Sequence, residues 1–206
     1  MNELSIICVL KSGGDYSRAY ADHLAQMVSD HLSIPFKFIC FTDCGESEGY
    51  WNVELKRHLE GWWSKLEMFR MIGPAIYLDL DTYIPGSLDP LAEAVMKQKD
   101  AYSFWMLDAF SDDKKHASGV MAWTGAWNWI YDEFGESDRQ KAEGWDQKYI
   151  VSKLKERHTD ILSVNDHAKI YSYKHHCKNG VPDGADIVCF HGQPRPQDVG
   201  GIYWSS

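Results

Sequence analysis

Three short, nearly unbroken apolar runs, Leu4–Leu10, Phe36–Thr42 and Ala75–Leu80, fix most of what this chain can become. A strand with one wet face alternates apolar and polar side chains, whereas a continuously apolar run belongs to a strand covered on both faces. After the first run comes the loop Lys11-Ser12-Gly13-Gly14-Asp15, and then Tyr16, Tyr20, Leu24, Met27, Val28 and Leu32 fall at helical spacing. That spacing makes an amphipathic helix, and Pro35 ends the connection to the second run. Strand, helix and strand in this order form a right-handed parallel βαβ unit. The sequence therefore predicts an α/β protein whose mixed, mostly parallel sheet is flanked by helices.

Further along, Trp63–Ile72 reads as a short helix stopped by Gly73-Pro74, with Ala75–Leu80 as the third strand and Leu88–Lys97 as a helix. Ala101–Met106 and Gly119–Thr124 are strand candidates, separated by the polar, aperiodic stretch Asp108–Ser118. Trp127–Phe134 and Trp145–Leu154 read as helices, and Ile161–Val164, Lys169–Tyr173 and Asp186–Phe190 as late short strands. Residues 43–60 receive no assignment. With 206 residues, no repeat and no linker-like shift in composition, residues 1–206 are expected to form a single domain.

Composition excludes several classes. Nine Trp and eleven Tyr are too many for a disordered chain. A mean hydropathy of -0.42 and the lack of a long apolar run argue against a transmembrane span. Residues 1–10 lack both the basic region and the long apolar core of a secretory signal. The net charge of -9 argues against a nucleic-acid partner, though not against one phosphorylated small molecule held through a metal. The five cysteines are odd in number and lack C-x-x-C spacing, so the expectation is reduced thiols in a cytoplasmic protein.

The most informative segment is Ala75-Ile76-Tyr77-Leu78-Asp79-Leu80-Asp81. Alternation along a strand points Asp79 and Asp81 to one face. They follow the apolar run and so fall at the strand's C-terminal end, the edge where open α/β sheets bind ligands. Two adjacent carboxylates repel unless protonated or bridged by a cation, and oxygen ligands suit a hard divalent ion such as magnesium or manganese. The residues alone leave a second reading open, a solvated turn or a helix cap at Asp81.

The rest of the chain adds to this. Gly61-Trp62-Trp63-Ser64-Lys65-Leu66-Glu67-Met68-Phe69-Arg70, followed after a short gap by Tyr77-Leu78-Asp79-Leu80-Asp81-Thr82, resembles the glycosyltransferases of the GT-A fold. The likeness is greatest to family 8 and its bacterial and phage relatives, where a helix carrying W-x-K-L-x-x-F leads into a strand ending in D-x-D-T. Three later segments match in order. Ser118-Gly119-Val120-Met121-Ala122-Trp123 resembles the family's small-Gly-Val-Met strand, and Asp146-Gln147 its D-Q helix start. Phe190-His191-Gly192-Gln193-Pro194-Arg195-Pro196 resembles its C-terminal H…G-x-x-K-P segment. Two departures stand out. The family's histidine lies three residues before the glycine, where this chain has Cys189, with His191 next to Gly192; and the family's lysine is Arg195 here. The longer insertions that many members use to hold acceptors are also missing.

The resemblance implies a GT-A, Rossmann-like domain that moves a sugar from a nucleotide-sugar donor, of the UDP class, to an acceptor with retention of configuration. The acceptor is left open among a glycan, a lipid-linked sugar and a protein. Asp79, Asp81 and His191 would hold a divalent metal, manganese or else magnesium. Arg195, restrained between two prolines, would clamp the diphosphate, its planar guanidinium suiting bidentate phosphate contact. Leu10, Ser12, Gly13, Tyr16 and Asp43 would surround the nucleoside. Asp146 and Gln147 would lie at the donor sugar, with Lys65 at the sugar or the diphosphate. Plainer readings stand beside these: Tyr16 as the start of the helix's apolar stripe, Asp43 as a turn residue, Asp146 as a helix cap, and Lys65 as a solvated helix lysine. Two other functions compete. One is a non-catalytic carbohydrate- or nucleotide-binding protein, for which the many tryptophans would suit sugar stacking. The other is a sugar nucleotidyltransferase, disfavoured because Lys11-Ser12-Gly13-Gly14 lacks the arginine of its glycine-rich loop.

Overall fold

The computed structural model describes residues 3–110 and 116–204. Residues 111–115, within the stretch read as polar and aperiodic, lie outside that range, as do both ends of the chain. Ten strands are described: β1 (Leu4–Leu10), β2 (Phe36–Thr42), β3 (Trp51–Glu54), β4 (Ala75–Leu78), β5 (Thr82–Tyr83), β6 (Phe104–Asp108), β7 (His116–Trp123), β8 (Ile161–Ser163), β9 (Ile170–Ser172) and β10 (Ile187–Cys189). The α-helices are α1 (Arg18–His31), α2 (Asp89–Lys97), α3 (Asn128–Asp132), α4 (Glu136–Lys141), α5 (Asp146–Glu156), α6 (Tyr173–His176) and α7 (Pro196–Val199). A tighter 3-10 segment spans Gly61–Arg70.

The main sheet has seven strands in the order β3-β2-β1-β4-β7-β6-β8, and β5-β10-β9 form a small second sheet. Neighbours pair in parallel from β3 through β4, and β8 pairs in parallel with β6. β7 runs antiparallel to both its neighbours. This is the mixed, mostly parallel sheet that the apolar runs predict. Every residue of β1 is buried, and its alternation divides the core in two. Leu4, Ile6, Cys8 and Leu10 pack with Tyr20, Leu24 and Val28 of α1 and with Leu91 and Val95 of α2. Ile7 and Val9 face the other way, into Trp63, Leu66 and Phe69 and then Ile130, Tyr149 and Ile150 of α3 and α5.

Three local readings change. β4 ends at Leu78 rather than Leu80, because the Thr82 N–H closes a turn onto the Asp79 carbonyl at 3.1 Å. Asp79 and Asp81 therefore sit in the turn that leaves the strand. Residues 43–60 contain β3, an edge strand whose residues are all partly or fully exposed, so no apolar pattern announced it. The helix expected from Trp63 is the 3-10 segment, in which Ser64, Lys65 and Glu67 are buried together with the apolar residues. At its end, Gly73 lies against β7, where a Cβ would meet the Trp123 carbonyl oxygen at 2.3 Å, so only glycine fits.

Candidate active site

The parallel strands β1, β2 and β4 end at one edge of the sheet. Antiparallel β7 begins there, since Leu78 pairs with Val120 and leaves Ser118 and Gly119 beyond the end of β4. The residues singled out from the sequence gather at this edge in three groups.

The first group centres on Lys65. Its ammonium lies 2.9 Å from Asp79 Oδ1 and 3.1 Å from Asp146 Oδ2, and donates to Ser118 Oγ at 3.2 Å. Ser118 Oγ–H donates to Asp146 Oδ2 at 2.8 Å, and the Tyr77 hydroxyl donates to Asp79 Oδ1 at 2.7 Å. Lys65 is therefore not a solvated helix lysine. Burial alone would lower its pKa, but the Asp146 and Asp79 carboxylates reverse this and hold it above the ordinary lysine value. Asp146 is not a helix cap: Trp145 occupies the N-cap position, and the Asp146 side chain turns inward at the first residue of α5. Gly119 makes room for the group, since a Cβ there would lie 3.3 Å from Asp79 Oδ2. Tyr77 was overlooked as a site residue, although strand alternation already put it on the same face as Asp79. Ser118 was noted only as part of a motif.

The second group joins residues far apart in sequence. Arg195 Nη1 donates to Asp81 Oδ2 at 2.7 Å and also bonds the Tyr16 hydroxyl. Arg195 Nη2 reaches Asp15 at 3.1 Å, and the guanidinium lies over the Tyr16 ring at 4.6 Å. Tyr16 O–H donates to Asp81 Oδ2 at 2.7 Å, and burial pushes the phenol pKa up. Tyr16 thus precedes α1 and faces the site. Burial, and then the neighbouring Asp79 charge, push the Asp81 carboxyl up to about 6 despite the Tyr16 and Arg195 bonds.

That displacement predicts a pH dependence. An acid whose folded pKa of about 6 exceeds its ordinary 3.8 keeps more protons in the folded state than in the unfolded one. Its contribution to stability is therefore largest below the ordinary value, and declines as the pH rises through the folded one. In chelator-treated protein, the melting temperature is expected to carry a component that falls between about pH 4 and pH 6. Asp81→Asn should flatten that component, and an unchanged profile would assign the slope elsewhere.

The third group lies at the ends of β1 and β2. Asp43 accepts from the Ser12 N–H at 2.7 Å and from Ser12 Oγ at 2.8 Å, and pairs with Lys11. Slight burial opposes ionisation, but the Lys11 and Ser12 bonds outweigh it and bring the carboxyl down to about 2. Leu10 is buried at the strand end, while Gly13 is exposed with a φ of +79° in the loop between. Gln147 follows Asp146 and is half-buried.

His191 follows Phe190, whose N–H donates to the Asp81 carbonyl at 3.2 Å. Its Nε2 is 2.7 Å from Ser172 Oγ, and its ring stacks on Phe110 and His175. Among the described residues, no three or more His, Cys, Asp or Glu side chains gather into a ready-made cation cage. Cys189, at the place of the family's histidine, lies within the field of the acidic pair. Burial raises its thiol pKa first, and the Asp79 and Asp81 charges raise it further.

A seven-stranded mixed sheet with an acidic turn at the C-terminal edge of its parallel strands fits the GT-A architecture, and comparison with solved structures bears this out. The sequence itself matches no protein-family model and no curated protein. The galactosyltransferase LgtC, solved in complex with donor and acceptor sugar analogs, superposes with a TM-score of 0.62 at 14% identity. That match covers 93% of this chain and 88% of LgtC. The glycosyltransferase GlyE of Streptococcus pneumoniae superposes with a TM-score of 0.60 at 9% identity over 95% of this chain, which spans only 56% of GlyE. The WbbM bifunctional glycosyltransferase gives 0.57 at 7% identity, with 94% of this chain covering 46% of WbbM. The chain has the GT-A fold. No helix among the described residues is long and apolar enough to cross a membrane.

Proposed function

We propose that this chain is a glycosyltransferase that moves a sugar from a nucleotide-sugar donor of the UDP class to an acceptor, with retention of configuration. The observation that carries this reading is the meeting, at one edge of a GT-A sheet, of an acidic turn, a buried Lys65–Asp146 pair and Arg195. A diphosphate leaving group needs its developing charge stabilised. Asp79 and Asp81 would hold a divalent ion there, manganese or magnesium, whose chemistry is that of a Lewis acid on the phosphates. Burial and then the Asp79 charge raise Asp81, and the second of these supports the fit, because a cation between the two carboxylates would relieve it. His191 would join such a set through Nδ1, with Ser172 Oγ holding the ring from Nε2.

Arg195 donates from Nη1 to Asp81 and from Nη2 to Asp15, and a diphosphate would offer the same two amines one bidentate partner. Leu10, Ser12, Gly13, Tyr16 and Asp43 form the nucleoside side of the site, at the ends of β1 and β2. Lys65 fixes Asp146 toward the donor sugar, beside Gln147. A cytoplasmic location belongs to the same reading and is supported by five cysteines that are all unpaired.

The test is a panel of nucleotide sugars with manganese, read by release of nucleoside diphosphate. Turnover of a UDP-sugar is expected, and its absence across the panel would overturn the proposal. Calorimetry with UDP should show binding that chelator abolishes, and equal affinity with and without metal would remove the cation from the reading. Arg195→Ala should weaken UDP far more than uridine. A charge-assisted hydrogen bond contributes about 1.5–3 kcal/mol, so the loss should be on the order of ten- to a hundredfold. Equal weakening of both ligands would mean a damaged fold.

A further inference from the structure

The start of the 3-10 segment and the start of α5 bring two large aromatic side chains together outside the core. Trp62 and Trp145 lie with their rings nearly parallel, 10° apart with centroids separated by 6.0 Å. They remain 57% and 48% exposed. Neither ring is loosely placed. Trp62 Nε1–H donates to the Gly144 carbonyl at 2.7 Å, and Trp145 is the N-cap of α5. The turn between them is set by the positive φ of Glu143 and Gly144, 52° and 80°. Holding two indoles in register while leaving half their surface in water forgoes the burial that normally fixes a tryptophan. The core does not account for the pair, since Trp63, the tryptophan of the family-like motif, is the one that is buried.

The pair adjoins the site on both chains of residues that build it. Trp145 directly precedes Asp146, and Trp62 lies one turn before Lys65, the two residues joined at 3.1 Å. Two ion pairs flank it. Glu60 pairs with Arg139 at 3.1 Å, and Glu143 pairs with Lys148. A rigid, exposed aromatic platform suits a neutral ring with an apolar face and hydroxyl edges.

We infer that Trp62 and Trp145 form a stacking platform for a neutral pyranose ring, the acceptor sugar of the reaction proposed above. The inference rests on that reading for the word acceptor, while the sugar platform stands on its own geometry.

The test uses lactose, maltotriose and chitotriose as probes, followed by tryptophan fluorescence and calorimetry on the full chain. Wild type is expected to bind at least one of them. Trp62→Ala and Trp145→Ala should each weaken that binding by about tenfold, the scale of one aromatic stacking contact. Trp51→Ala is the control, since Trp51 is 63% exposed on the edge strand β3, where Lys37 lies over its ring. It should leave sugar binding unchanged. Donor hydrolysis without acceptor should be unaffected by Trp62→Ala, while the KM for the acceptor sugar rises. Trp62 lies outside the buried group, so its variant carries the test if Trp145→Ala unfolds. The platform is overturned if no probe binds wild type, if both variants bind as wild type does, or if the pair proves to be a self-association surface whose dimer both variants dissociate. Sugar binding lost in both variants, in a chain that turns over no donor, would support the platform and refute the transferase.

Discussion

Asp146→Asn is expected to leave UDP affinity nearly unchanged while turnover of the intact donor falls by roughly a hundredfold or more, as when a preorganised charge is withdrawn from a transition state. UDP has no sugar beyond its ribose, so a residue serving the donor sugar is invisible to it. The structure adds a stability component. Asp146 Oδ2 is paired with Lys65 at 3.1 Å and accepts from Ser118 at 2.8 Å in a buried setting. Asparagine keeps the hydrogen bond and the volume but no longer neutralises the lysine. Lys65 retains Asp79 at 2.9 Å, so the loss should stay near 1–3 kcal/mol, about the cost of weakening one buried polar contact. Turnover kinetics, UDP calorimetry and a melting curve on one preparation separate the cases. Unaltered turnover with a lowered melting temperature would make Asp146 an anchor for Lys65 alone, and a matching loss of UDP affinity would place it on the nucleotide side.

How far the sequence reveals this site follows from the distances over which its residues act. β1, β2 and β4 were legible because each is apolar over a run long enough to need cover on both faces. β3 and α4 were not. All of β3 is at least partly exposed and α4 buries nothing, so packing left no periodicity in either. The turn at Asp79–Asp81 carried a signal because both acids follow a buried strand. The cations that pair with the two acids, however, come from 14 and 114 positions away. Lys65 could not be ranked as buried or solvated from its own segment, because the residues that keep it charged come from the β4 turn and from α5. Arg195 was foreseen as a cation at the site, yet its pairing with Asp81 across 114 residues was not. The family's histidine position was a departure on paper. In the fold, Cys189 lies by the acidic pair and His191 turns toward Ser172.

The residue whose loss should most disturb the molecule is Lys65. Lys65→Met keeps much of the side-chain length and removes the only cation bonded to Asp79 or Asp146 among the described residues. Breaking a buried pair by deleting one partner costs about 3–5 kcal/mol, because the orphaned charge remains. For a domain of this size that is roughly 6–20 °C in melting temperature. The pH dependence can be signed. The folded pKa of Lys65 lies above its ordinary value of 10.5, so its stabilisation is fully present below that value and is lost only as the pH rises through the folded one. The gap between wild type and Lys65→Met should therefore persist up to about pH 9. What costs the variant its stability is the carboxylate left buried without its lysine. Adding Asp146→Asn to Lys65→Met removes that charge directly, and the double variant should be more stable than Lys65→Met alone. Such recovery is the signature of a charge triad: a lysine that merely packed would show two additive losses. Thermal unfolding of the four proteins at two pH values decides between the two.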